Sequence, residues 1–165
     1  MEAPICERDM KRDSLCRECE QALSEGKISE LDVRVSRALQ KLSKQFYFVN
    51  AEFKKSLDLG DMVVLLCKGN IGSLIGKKGR VVSELGKVLE KKVRVIELVK
   101  DDKKMIQDFV GNARVLSVNK VFRIDGKEHK VIIAEQDRER LATSPQVLKA
   151  GIEKMLDTQA TIIFR

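Results

Sequence analysis

One order of apolar patterns runs through this 165-residue chain twice, and that repetition constrains the fold more than any single motif. From Ser29 a helix-spaced stripe, Leu31, Val35, Leu39 and Leu42, leads into two extended stretches, two helical stretches and the alternating run Lys92–Glu97. Recurrence every three or four residues marks the helices, and recurrence every second residue marks the strands. Past Asp101 and Asp102 the order returns, beginning with a stripe of Met105, Ile106, Phe109 and Val110. Strands are expected around residues 115–124 and 130–134, on either side of Asp125-Gly126, a strong hairpin signal. A helix over Pro145–Leu156 and a strand at 160–164 close the chain.

Overlaid at a fixed offset of 67, the halves align without a gap, with Leu74 on Leu141, Leu85 on Ile152, Leu89 on Leu156 and Val95-Ile96 on Ile162-Ile163. The expected fold is therefore α+β, with two tandem αββααβ units at residues 29–99 and 100–165. A cysteine-containing segment, residues 1–28, precedes them.

Local signals agree. Ser29-Glu30-Leu31-Asp32 reads as a capping box with Asp in the usual Glu position. Residues 46–59 look extended up to Gly60-Asp61, and the unbroken apolar run 62–67 reads as a buried strand containing Cys67. Asp101-Asp102 is expected to cap a helix, and His129, the only histidine, to face solvent beside Lys127 and Lys130.

The motif richest in chemistry lies between the two helical stretches of the first unit, at Ile75-Gly76-Lys77-Lys78-Gly79-Arg80. Glycines there let the backbone turn tightly and approach a ligand closely. A helix that follows offers unpaired N–H groups and a positive dipole end, which suits phosphate. Other glycine-loop chemistries fail on spacing. A nucleotide-binding P-loop needs Ser or Thr after Gly-Lys, where Lys78 stands, and Gly72, Gly76 and Gly79 do not space as a dinucleotide fingerprint. Charge follows the motif: residues 68–94 carry eight basic and two acidic side chains, whereas the matched window 135–161 carries four and five. The whole chain has a formal net charge of +7, which suggests a polyanionic partner.

These residues resemble the KH family, whose signature is an aliphatic residue, I-G-x-x-G and an apolar helix. The resemblance covers roughly residues 30–165, and the αββααβ order resembles its type II members. It implies single-stranded RNA held at Gly76, Lys77, Lys78, Gly79 and Arg80, with bases in an apolar groove for which Ile71, Leu74, Ile75 and Val82 are candidates. Plain core packing explains those four equally well. A tandem pair further resembles the KH region of NusA-like transcription factors and their short archaeal relatives. That implies a role in transcription elongation or termination, with ribosome assembly, RNA processing or an adaptor role on RNA polymerase or the ribosome as alternatives. In the second half the loop is replaced by Thr143-Ser144-Pro145-Gln146, so a degenerate unit without a phosphate clamp is expected.

Cys6, Cys16 and Cys19 include one C-x2-C pair, and Asp9 falls three residues after Cys6. Zinc wants four ligands, so Cys6, Asp9, Cys16 and Cys19 form a candidate set. A lone pair of this kind serves equally as a redox pair or as two unrelated thiols. No run of apolar residues approaches the ~20 needed to span a bilayer, and MEAPICERDMKR lacks the apolar core of a signal peptide. A cytoplasmic protein is expected, with no membrane partner. No catalytic constellation stands out, and an enzyme is not expected.

Overall fold

The structure, a computed structural model, describes residues 1–165. It is α+β, with seven helices and two three-stranded sheets, and it divides into two compact units, Met1–Glu97 and Leu98–Arg165.

The first unit runs α1 (Glu7–Met10), α2 (Arg17–Ser24), α3 (Glu30–Leu42), β1 (Ala51–Asp58), β2 (Met62–Gly69), α4 (Ile71–Ile75), a 3₁₀ turn (Lys77–Gly79), α5 (Arg80–Leu89) and β3 (Lys92–Glu97). The capping box forms as the sequence predicts: Asp32 N–H donates to Ser29 Oγ at 3.0 Å, and Ser29 N–H donates to Asp32 Oδ2 at 2.9 Å. Asp32, 3% exposed, also accepts from the Ser56 N–H through Oδ1 at 2.7 Å. One carboxylate thereby satisfies donors on both a helix end and a strand, which is what makes its burial tolerable. β2 is central, antiparallel to β1 and parallel to β3, and every residue from Met62 to Cys67 is buried. Val35 and Leu39 of α3, Phe53 of β1, Val63 and Leu65 of β2, Leu74 of α4 and Leu85 of α5 form one core. Truncating such a residue to Ala costs about 2–5 kcal/mol. Glu2 adds to the outer edge of β1, where Phe53 N–H donates to Glu2 O at 2.9 Å.

The second unit runs α6 (Asp102–Val110), β4 (Val115–Arg123), β5 (Gly126–Ile133), a 3₁₀ helix (Glu135–Arg140), α7 (Pro145–Leu156) and β6 (Gln159–Phe164). Its sheet order, β4-β5-β6, and strand directions repeat those of the first unit. The gapless overlay fails first at the hairpin, where the β1–β2 turn at 59–62 would map to 126–129 but the β4–β5 turn falls at 124–125, and it needs correction in two further places. The offset of 67 carries β3 onto β6, yet Val63 pairs with Val93 while the counterpart Ala160 pairs with His129, one position short of Lys130. The link from β5 to β6 is one residue longer. Because strand side chains alternate, that slip turns His129, Val131 and Ile133 toward the core. The last correction lies at α4, whose place is taken by the 3₁₀ helix. Buried Asp137 pins that helix by accepting from Arg114 Nε at 2.7 Å and from the Arg114 N–H at 3.1 Å.

Candidate nucleic-acid interface and metal centre

α4 stops at Gly76, whose φ is +80°. A Cβ at Gly76 would lie 2.6 Å from Val81 Cγ2 and 2.8 Å from Val81 N, so the position admits only glycine. Lys78 (φ +55°) and Gly79 (φ +73°) are both left-handed, and this pair swings the chain directly into α5 at Arg80. Gly79 supplies conformational freedom rather than close approach, since its nearest neighbour, Val82 Cγ2, would be at an ordinary 3.5 Å. No side chain caps α5; the Arg80 N–H donates to Lys77 O, and the first-turn N–H groups after it have no side-chain acceptor. Lys77 and Lys78 are exposed beside that turn and take part in no ion pair. The Arg80 guanidinium lies 5.7 Å from the centre of the Phe46 ring.

The candidate base-binding residues separate. Leu74 is 1% exposed and belongs to the core, so it is not available to a ligand. Ile71 is half-buried against that core, and Ile75 and Val82 are half-buried. An open groove of about 660 Å³ includes Gly79, Val82, Ser83, Gly86 and Lys87 along one face of α5, with Lys92 and Val93 of the edge strand β3 opposite. Of the expected residues it brings together Gly79 and Val82, and not Ile71, Leu74 or Ile75. Gly86 keeps the groove's wall closely packed, since a Cβ there would lie 2.9 Å from Lys91 O. Residues 79, 82, 83, 86 and 87 share a helix face, a spacing that sequence alone could have flagged. The rim is partly neutralised: Lys87 pairs with Glu84 at 3.1 Å and Lys91 with Asp58 at 2.9 Å.

A second cluster occupies the start of the unit. The ligand atoms of Cys6, Asp9, Cys16 and Cys19 lie within 4.8 Å of one another, close enough to hold a metal ion. Their convergence has a simple origin: Cys6 is the N-cap of α1 and Cys16 the N-cap of α2, with Asp9 and Cys19 each three residues on. Both short helices thus aim an N-terminal turn at one point. Arg37 of α3 braces the intervening loop, donating through Nε to Asp9 O at 3.2 Å and through Nη2 to Ser14 O at 3.3 Å. The Cys16 N–H donates to Asp9 Oδ2 at 2.8 Å, and this holds the Asp9 carboxyl well below the usual aspartate range. With Oδ2 engaged, Oδ1, which lies 4.0 Å from Arg8 Nε, is the oxygen left to meet a metal. Three sulfurs and one carboxylate oxygen are a donor set that zinc accepts. Cys67 stands apart in β2, where burial pushes its thiol up to about 12.

The second unit differs at each corresponding point. Ser144 Oγ accepts from the Val147 N–H at 3.3 Å and Pro145 opens α7, so that helix start is already capped. His129 is 3% exposed, contrary to the solvent-facing position expected for it. Its Nε2 lies 3.0 Å from Asp102 Oδ2 and its Nδ1 3.1 Å from Thr158 Oγ1, while Lys120 Nζ reaches the same Asp102 oxygen at 2.9 Å. Asp101 is the helix cap, accepting from the Lys104 N–H at 3.2 Å. Its neighbour Asp102, half-buried, instead pairs with buried His129. Desolvation raises the Asp102 carboxyl, but Lys120 and His129 outweigh it and the net shift is downward.

No protein-family model matches the chain, and no curated protein matches it. Among solved structures, the crystal structure of APE1850 aligns with a TM-score of 0.58, covering 78% of this chain and 96% of that one at 18% identity. That likeness concerns the fold alone. No helix is long and apolar enough to cross a membrane.

Proposed function

We propose that the protein is a non-enzymatic RNA-binding protein of the KH type, gripping single-stranded RNA at Gly76-Lys77-Lys78-Gly79. One observation carries this reading: a left-handed turn opens an uncapped helix and displays two lysines that have no internal partner. Backbone N–H groups and lysines together suit consecutive phosphates, while the adjoining groove on α5 and β3 suits bases. By resemblance to NusA-like proteins, the pathway is transcription elongation or termination. Ribosome assembly and RNA processing use the same clamp equally well. An adaptor role would instead place an RNA polymerase or ribosome contact first, and the capped turn of the second unit favours a protein contact there over RNA.

The test is fluorescence anisotropy of labelled single-stranded RNA with wild type and the Lys77→Asp/Lys78→Asp variant, with circular dichroism to establish that both are folded. Three or four neutralised phosphates imply that affinity falls roughly 20- to 50-fold between about 50 and 200 mM salt. Unchanged binding in the folded variant would remove the clamp and put the adaptor role first.

We propose zinc as the metal of the N-terminal cluster. Cys6, Cys16 and Cys19 would bind as thiolates and Asp9 through Oδ1, in a structural rather than catalytic site. Metal analysis of protein purified without chelator should give about one zinc ion per chain. Asp9→Cys should retain that zinc against higher chelator concentrations. Metal-free protein with an unchanged melting curve would contradict the assignment.

A further inference from the structure

Phe46, Tyr47 and Phe48 stand in a row between α3 and β1, in a chain that is only 4% aromatic and has no tryptophan. Phe46 and Phe48 are half-buried against the core of the first unit, which anchors the segment. Tyr47, between them, is 87% exposed. A single exposed ring is ordinary on a protein surface, so Tyr47 gains meaning only from the cavity and the charges around it.

The three rings border a cavity of about 300 Å³ that is also lined by Glu7, Met10 and Gln40. Gln40 is half-buried, and its side-chain amide makes no hydrogen bond within the protein. It offers a donor and an acceptor together, as the edge of a nucleobase does. The charge of Glu7 is taken up by Lys11 at 2.7 Å. Lys41 and Lys44, on the same turn of chain, are exposed and unpaired. On the other side Phe46 meets Arg80, the residue that follows the lysine turn. Aromatic platforms flanked by cations are what single-stranded nucleic-acid sites use, because any base offers a face to stack on.

We infer that this pocket is a second RNA subsite, which rests on the reading of Gly76–Gly79 as the RNA clamp. It takes the base of a nucleotide flanking the gripped stretch, stacked on Tyr47 with its edge toward Gln40. Lys41 and Lys44 lie beside the backbone. The subsite extends the bound length beyond the about four nucleotides that a KH loop holds.

Tyr47 is the only tyrosine and there is no tryptophan, so tyrosine emission reports on this one site. The experiment titrates mixed-sequence single-stranded RNA of about four and about twelve nucleotides into wild type, Lys77→Asp/Lys78→Asp, Tyr47→Ala and Tyr47→Phe. Affinity is followed by anisotropy, and emission is followed in the proteins that keep Tyr47. The longer RNA should quench emission in wild type, and Tyr47→Ala should weaken it by roughly 5- to 100-fold while leaving the shorter RNA unaffected. Tyr47→Phe should bind like wild type, since stacking needs the ring and not the hydroxyl. If the longer RNA depends on Lys77 and Lys78 but neither quenches Tyr47 nor responds to Tyr47→Ala, the subsite is wrong and the clamp stands. Absence of RNA binding in wild type would overturn both.

Discussion

At the start of α5 the backbone turns through two left-handed residues and reaches the helix with no side chain across its first N–H groups. At the start of α7, in the same place in the other unit, Ser144 closes over those groups and Pro145 removes one of them. The two solutions differ in what they leave unsatisfied. A capped helix is a finished structural element, whereas one without a side-chain cap leaves first-turn N–H groups for water or an anion to complete. Duplication of a fold therefore does not duplicate a site. At this turn the second unit has exchanged open valences for internal ones, through Ser144.

The sharpest way to break that contrast is to place two aspartates in each turn. Lys77→Asp/Lys78→Asp should lower RNA affinity about 100-fold, taking ~1.5 kcal/mol for each charged contact. Ser144→Asp/Gln146→Asp should change it less than about twofold. A stability comparison comes next, by urea denaturation. Gly76→Ala meets both a forbidden dihedral and Val81, and should cost about 2–4 kcal/mol. Gly79→Ala has room for its methyl group and should cost only the left-handed strain, about 1–2 kcal/mol. Ser144→Ala, which removes a cap and nothing else, should cost about 1 kcal/mol. The subtlest difference is in acid. Asp102 is held below its ordinary value of 3.8, so its contribution is present above that pH and lost as pH falls through the lower folded value. Melts below about pH 4 should therefore show a steeper loss in wild type than in Asp102→Asn, whose amide does not titrate in that range.

Local rules carried far in this chain. The capping box at Ser29, the hairpin at Asp125-Gly126 and the bounds of α7 are visible as residue types at fixed spacing, because each depends on contacts only a few residues apart. The candidate metal cluster is legible for the same reason, as two i, i+3 pairs. Features that depend on tertiary placement were not. Leu74 carries the signature of a groove residue and lies in the core, since a five-residue helix has too few turns for periodicity to say which side faces inward. His129 looked exposed because its neighbours are lysines, and only the one-residue slip of β5 against β6 turns it inward. The groove's β3 wall comes from a parallel pairing with β2, which leaves no local trace in sequence.

Glu2, paired along β1, has a bearing on how the molecule behaves in company. A sheet edge with free N–H and C=O groups is a template for another chain, and proteins guard against self-association by covering it. Here the cover is a single bridged residue four positions before Cys6. Any ion held at the cysteines would tether that cover in place. Its loss would then be felt first as clumping in concentrated solution, while each isolated molecule still had its sheet.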